Sequence, residues 1–152
     1  MSPEAPPVSQ AHLVVGFDGT PPATRALAAA VRILSIRPGR ITVFWVAHLT
    51  STQELSADAV AIVESDFDKV AAELRAMVGE RMAGSGVPWD FQWRQGLIAR
   101  ELIAAAASVQ AARPDDVVVI LIGSSSSAMH RIVGSVAVNL ARHAPVPVII
   151  VP

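Results

Sequence analysis

The sequence predicts an α/β domain: a five-stranded parallel sheet, strand order 3-2-1-4-5, with helices on both faces. Two observations lead there. Short runs rich in β-branched and aromatic residues alternate with longer runs whose apolar residues recur at threes and fours, giving β-α-β-α-β-α-β-α-β. That alternation implies parallel pairing with right-handed crossovers. The chain has 152 residues, 52% of them apolar and 16% charged, which is most simply one domain with a real core.

Residues 1–10 hold three prolines among Ser, Glu and Gln and read as a disordered lead-in to a domain over 11–152. His12 to Phe17 is too short and too β-rich for a helix, so it is the first strand. Asp18-Gly19-Thr20-Pro21-Pro22 ends it, with Thr20 a good N-cap and Pro21 suited to the first helical position. Ala26, Leu27, Ala30, Val31 and Leu34 form a helical stripe to about Ser35, and Pro38-Gly39 turns the chain. Ile41 to His48 is a second buried strand.

From Thr52 the period changes. Leu55, Ala59, Ile62, Val63, Phe67, Val70, Leu74, Met77, Val78 and Met82 mark one long helix, ending at Gly84 to Gly86. In Val87 to Gln95 the aromatic residues Trp89, Phe91 and Trp93 alternate with Asp90, Gln92 and Arg94, which predicts a half-exposed edge strand. Ala99 to Ala112 is apolar on most faces and is expected to be a well-covered helix. Val117 to Ile122 is the fourth strand, Ser135 to His143 the fourth helix with Ser135 as N-cap, and Val146 to Val151 the last strand.

In such sheets ligands sit beyond the carboxyl ends of the strands, where the winding direction reverses. With this order the crevice falls between strands one and four. Those two strands run into Gly16 to Thr20 and Gly123 to Ser127, both loops of glycine and hydroxyl residues. A strand, a loop of this kind and a helix N-terminus at Gly134-Ser135 make a cradle for an anion, because free N–H groups and the positive end of the helix dipole point into it.

Net charge is −1, which gives no broad field for nucleic acid or an anionic membrane. There is no cysteine, so thiol chemistry is excluded and a cytoplasmic location is compatible. No apolar run approaches a membrane span, and no signal pattern opens the chain. His12, His48 and His143 lack partners at metal-ligand spacing and read as structural. No Walker-type loop, no Gly-x-Gly-x-x-Gly and no Gly-x-Ser-x-Gly elbow is present. A phosphoacceptor receiver would want an acidic pair after strand one and an Asp ending strand three, where Gln95 stands. Nothing assembles into a nucleophile with a base, so an enzyme is not expected, and weak nucleotide hydrolysis is the third reading left open.

Val15-Gly16-Phe17-Asp18-Gly19-Thr20, Gly123-Ser124, Gly134-Ser135-Val136-Ala137 and Arg142-His143-Ala144-Pro145-Val146-Pro147-Val148 together resemble a universal stress protein of the UspA-like type, over about residues 12–152. The resemblance implies an adenine nucleotide alpha hydrolase-like fold and a homodimer through the C-terminal strand Val146–Val151. In one branch it implies bound ATP or a related adenine nucleotide such as AMP or cyclic AMP, with Mg²⁺ as an optional companion. The protein would then act as a dimeric stress sensor or regulator. The alternative is a dimeric interaction module of the same fold with an empty crevice.

Carried over, the nucleotide-binding set is Gly16, Phe17, Asp18, Val46, Ile122, Gly123, Ser124, Ser126, Arg131, Gly134, Ser135, Val136 and Ala137. Asp18 would lie near ribose and adenine, and the backbone of Val46 near adenine. Gly123, Ser124, Ser135 and Val136 would offer N–H and O–H groups to phosphate, and His130 and Arg131 could neutralise its charge. The family pattern has Gly, two residues, Gly, nine residues, then Gly-Ser or Gly-Thr. Here Ser126 replaces the second glycine and the spacer 127–133 is two residues shorter. A serine forced to φ > 0 would cost about 1 kcal/mol, which predicts a rearranged loop suited to a smaller or differently placed phosphate.

Overall fold

The computed structural model describes residues 9–48, 56–124 and 134–152. In order these form β1 (Ala11–Gly16), α1 (Pro21–Leu34), β2 (Gly39–Ala47), α2 (Ala57–Met82), β3 (Trp89–Gln95), α3 (Ile98–Ala112), β4 (Val117–Gly123), α4 (Ser135–His143) and β5 (Val148–Val151). The sheet runs β3-β2-β1-β4-β5 and every pairing is parallel. The lead-in up to residue 8, the stretch 49–55 and the loop 125–133 lie outside the described residues.

Side chains alternate across β1 and so feed two cores. Leu13, Val15 and Phe17 pack with Ala26, Leu27 and Ala30 of α1 and with Leu74 and Val78 of α2. Val14 faces the other way, with Phe44, Ile120, Leu102 and Ala106 of α3 and Leu140 of α4. Helices therefore cover both faces, and β1 at the centre is buried from Ala11 to Val15.

Several boundaries differ from expectation for physical reasons. The last strand spans Val148–Val151 rather than Val146–Val151. Pro145 and Pro147 have no N–H to donate to the ladder, and Pro147 contributes only its carbonyl, to the N–H of Ile120 at 3.0 Å. The cap of α4 is Gly134, not Ser135, and it makes no side-chain cap bond. Ser135 is instead the first helical residue. Helix α2 starts behind a cap at Ser56, whose hydroxyl accepts from the Ala59 N–H at 3.3 Å.

Burial also corrects two helical stripes. Helix α3 buries only Leu102 and Ala106, because alanines that look apolar in sequence lie on its open side; it is not well covered. In α2 only Ala71, Leu74, Val78 and Met82 are buried, whereas Ile62 and Val70 are exposed. Strand β3 is the sheet edge expected from its alternation.

Candidate functional site

The crevice opens where β1 and β4 part. Their ladder holds through Val15 and Leu121, after which β1 turns into α1 and β4 runs on beside β5. The cavity left at that point has a volume of about 980 Å³, at the upper end of the ~300–1,000 Å³ usual for small-molecule sites. Gly16, Phe17 and Asp18 line it from the end of β1 and the turn after it, Val46 from β2, and Ile122, Gly123 and Ser124 from the end of β4 and just beyond it. Gly134, Ser135, Val136 and Ala137 close it from the start of α4. The expected residues thus converge on one cavity, apart from Ser126 and Arg131, which with His130 lie outside the described residues.

Asp18 is exposed and organised. Its Oδ1 accepts from the Thr20 N–H at 3.1 Å and from the Thr20 hydroxyl at 2.5 Å. The Thr20 oxygen in turn accepts from the Ala23 N–H at 3.5 Å, as the N-cap of α1. Gly19 makes the turn possible at φ +82°, and a side chain there would press on Leu74. This chain of bonds uses Oδ1 and leaves Oδ2 of Asp18 with no protein partner among the described residues.

The N-termini of α1 and α4 at the crevice are chemically unequal. In α1 the first turn begins Pro21-Pro22, which have no N–H, and the Ala23 N–H is taken by Thr20. In α4 the cap residue is Gly134, which has no side chain to offer. No side-chain cap bond forms among the described residues, and Ser135, Val136 and Ala137 all line the cavity. Of these two, α4 is the one whose first turn offers an anion N–H donors together with the positive dipole end.

The sheet supplies a second polar edge. Phe44 accepts from the Phe17 N–H at 3.0 Å, so its peptide groups face β1, whereas Ala47 accepts from the Gly96 N–H on the β3 side. Peptide groups alternate sides along a strand, so the N–H and C=O of Val46 aim at the side β1 has just left. Neither carries a backbone bond among the described residues.

One expected donor is not available. The Ser124 N–H donates to the Val151 carbonyl at 2.8 Å, because β5 reaches past Gly123 and extends the ladder by one bond. Its amide is spent on the sheet, and any role for Ser124 in a site falls to the rest of the residue.

Sequence reasoning missed Phe44, Trp45, Ile98, Leu102, Pro22 and Ile150, which also line the cavity. Each looks like core or turn in sequence. The one signal was positional, since Phe44 and Trp45 lie in the carboxyl half of β2 and Ile98 opens α3 on the same rim. No group of three or more His, Cys, Asp or Glu able to hold a metal is found among the described residues. No helix among them is long and apolar enough to cross a membrane.

Fold and crevice together define a doubly wound parallel α/β domain with an open cavity at its switch point. The particular family follows from comparison: the universal stress protein family model matches residues 11–152, and the chain belongs to that family. No curated protein sequence matches it. Among solved structures, the chain is similar to the universal stress protein UspA from Lactobacillus plantarum (TM-score 0.74, 18% identity, 95% of this chain and 99% of that one). It is also similar to a universal stress protein in complex with cAMP (0.61, 20%, 95% and 99%) and to one from Arabidopsis thaliana with AMP bound (0.63, 15%, 93% and 90%). At such identities the likeness establishes the fold.

Proposed function

We propose that the crevice binds an adenine nucleotide and that the protein is a dimeric sensor or regulator rather than an enzyme. The observation that carries this reading is the complementary polarity of the cavity's two ends. At one end the Val46 N–H and C=O offer an adjacent donor and acceptor, the pattern that an adenine edge presents in reverse. At the other the bare first turn of α4 suits a phosphate, and Asp18 Oδ2 lies in the same cavity as an acceptor for ribose hydroxyls. Apolar walls from Phe44, Leu102 and Ile122 would cover the base. The structures of relatives with cAMP and AMP support the same ligand class.

A mononucleotide is the preferred form, and ATP, with or without Mg²⁺, is the less favoured one. Ser126 and the short spacer remove part of the pattern that goes with triphosphate, and the Ser124 amide is spent on β5. Signalling would follow from differential affinity: a nucleotide that favours one conformation or assembly shifts that population. Dimerisation is assigned to the free edge of β5, where Ile149 and Ile150 remain 39% and 37% exposed, an edge that invites pairing. The absence of cysteine suits a cytoplasmic location.

Calorimetry with AMP, cyclic AMP, ADP and ATP tests the reading, together with phosphate release in the presence of Mg²⁺. Saturable binding without turnover is the expected result. Turnover would make the protein a nucleotide hydrolase, and silence with all four would leave the interaction module of the same fold.

A further inference from the structure

Two exposed apolar patches lie at opposite ends of one face of the sheet, and they carry opposite charge. The first is the N-terminal half of α2. Phe67 meets Trp45 and Trp93 edge-on, with ring centroids 6.1 and 6.2 Å apart, near the carboxyl ends of β2 and β3. Between Ala57 and Phe67 no residue is buried, so about 15 Å of helix continues past the sheet as an arm. This arm is not simply polar: Ile62 is 64% exposed and Val60 39%. Ile62 stands one turn from Asp58 and one turn from Asp66 on the same face. Lys69 is the nearest cation in sequence, and it is already beside Asp66 at 4.0 Å.

The second patch is the end of α1. Ile36 is 88% exposed and shares a shallow groove with Ala29, Arg32, Ile33 and Ser35. Arg32 and Arg37 flank it, and among the described residues neither guanidinium has an ion-pair partner.

The patches cannot meet within one chain. Both helices run from the carboxyl edge of the sheet toward its amino edge, so the arm leaves at one edge and Ile36 ends at the other. Strands of six to nine residues put about 20–30 Å between them. Each patch leaves an isoleucine in water beside charges of one sign, a poor match to solvent and a good match to the other patch.

We infer that the occupant of each is a second copy of this chain. Ile62 of one copy seats against Ile33 and Ile36 of the next, with Asp58 and Asp66 facing Arg32 and Arg37. Because the two surfaces differ, the contact is heterologous and head-to-tail, and association continues unless the rotation closes a ring. It uses neither the β5 edge nor the crevice.

Sedimentation velocity over a concentration series tests this. The wild-type coefficient should rise with concentration, and the rise should shrink at about 1 M salt, where surface charge is screened. Ile62→Asp and Ile36→Asp should each weaken the association roughly tenfold to a hundredfold, the loss expected for one buried isoleucine, with unchanged circular dichroism. Mixing the two variants should restore association, beyond any dimer through the β5 edge, that neither shows alone, since one keeps the groove and the other the arm. Asp58→Arg with Asp66→Arg should likewise be rescued by a chain carrying Arg32→Glu and Arg37→Glu. A wild-type coefficient that stays constant, variants that associate as the wild type does, or mixtures that fail to associate would each overturn the proposal, and would assign the patches to another partner or to solvent.

Discussion

Gly123 lies so close to the carbonyl of Pro22 that no β-carbon fits between them. The end of β4 is thereby pinned to the first turn of α1, and this contact sets the width of the crevice at its floor. Gly123→Ala must push the two elements apart, which costs about 1–3 kcal/mol as overpacking. Chemical denaturation should register that loss, and Gly123→Val should lose more.

Asp18 has two roles that can be separated. Its Oδ1 orders Thr20, while Oδ2 is the acceptor assigned to ribose. Asp18→Asn keeps an oxygen for the turn and removes the charge, so the fold should lose little while nucleotide affinity falls about tenfold, the worth of one charge-assisted bond. Titration calorimetry and thermal unfolding on the same sample check both halves. Unchanged affinity would remove Asp18 from the site.

Thr20→Ala tests the cap directly. Losing the side-chain acceptor for Ala23 should cost about 0.5–2 kcal/mol, and Asp18 loses one of its two partners as well. Thr20→Ser should recover most of the stability in denaturant titrations.

His12 gives the fold a pH dependence whose sign is fixed by its surroundings. It is 5% exposed, and its Nε2 lies 2.8 Å from the Thr42 hydroxyl, which donates to Asp90 Oδ1 at 2.8 Å. Because that proton goes to the carboxylate, Nε2–H must donate to Thr42, which leaves Nδ1 as a buried acceptor without a partner. Burial, and then the Arg40 charge, push the His12 pKa below its ordinary value of 6.5, against the opposing pull of Asp90 and Asp116. A lowered pKa means that the unfolded chain takes the proton first. Stability is therefore full above about pH 6.5 and falls as pH drops below it. His12→Gln should flatten that slope in denaturation measured from pH 8 to pH 5, whereas a slope that persists unchanged would place its origin elsewhere.

The sheet order was legible because alternation of strand and helix leaves few topologies, and the edge position of β3 because Trp89, Phe91 and Trp93 alternate so cleanly with polar residues. The crevice was legible for a topological reason: Asp18 and Gly123 end the two strands that must part. What sequence could not carry was the use of each polar group. The spent amide of Ser124 depends on how far β5 reaches, and the bare turn of α4 depends on Gly134 rather than Ser135 being its cap. The overcounted stripe of α2 has a similar cause, since Ile62 keeps the helical period on a stretch where no residue is buried. Period records which residues share a face, not whether anything covers it.

The most direct test of the nucleotide reading is calorimetric titration of the intact protein with AMP, paired with thermal unfolding at saturating ligand. The expected result is one saturable site per chain, with a stabilisation of about 2.7 kcal/mol at a hundredfold excess over Kd. No heat and no stabilisation with AMP, cyclic AMP or ATP would contradict it.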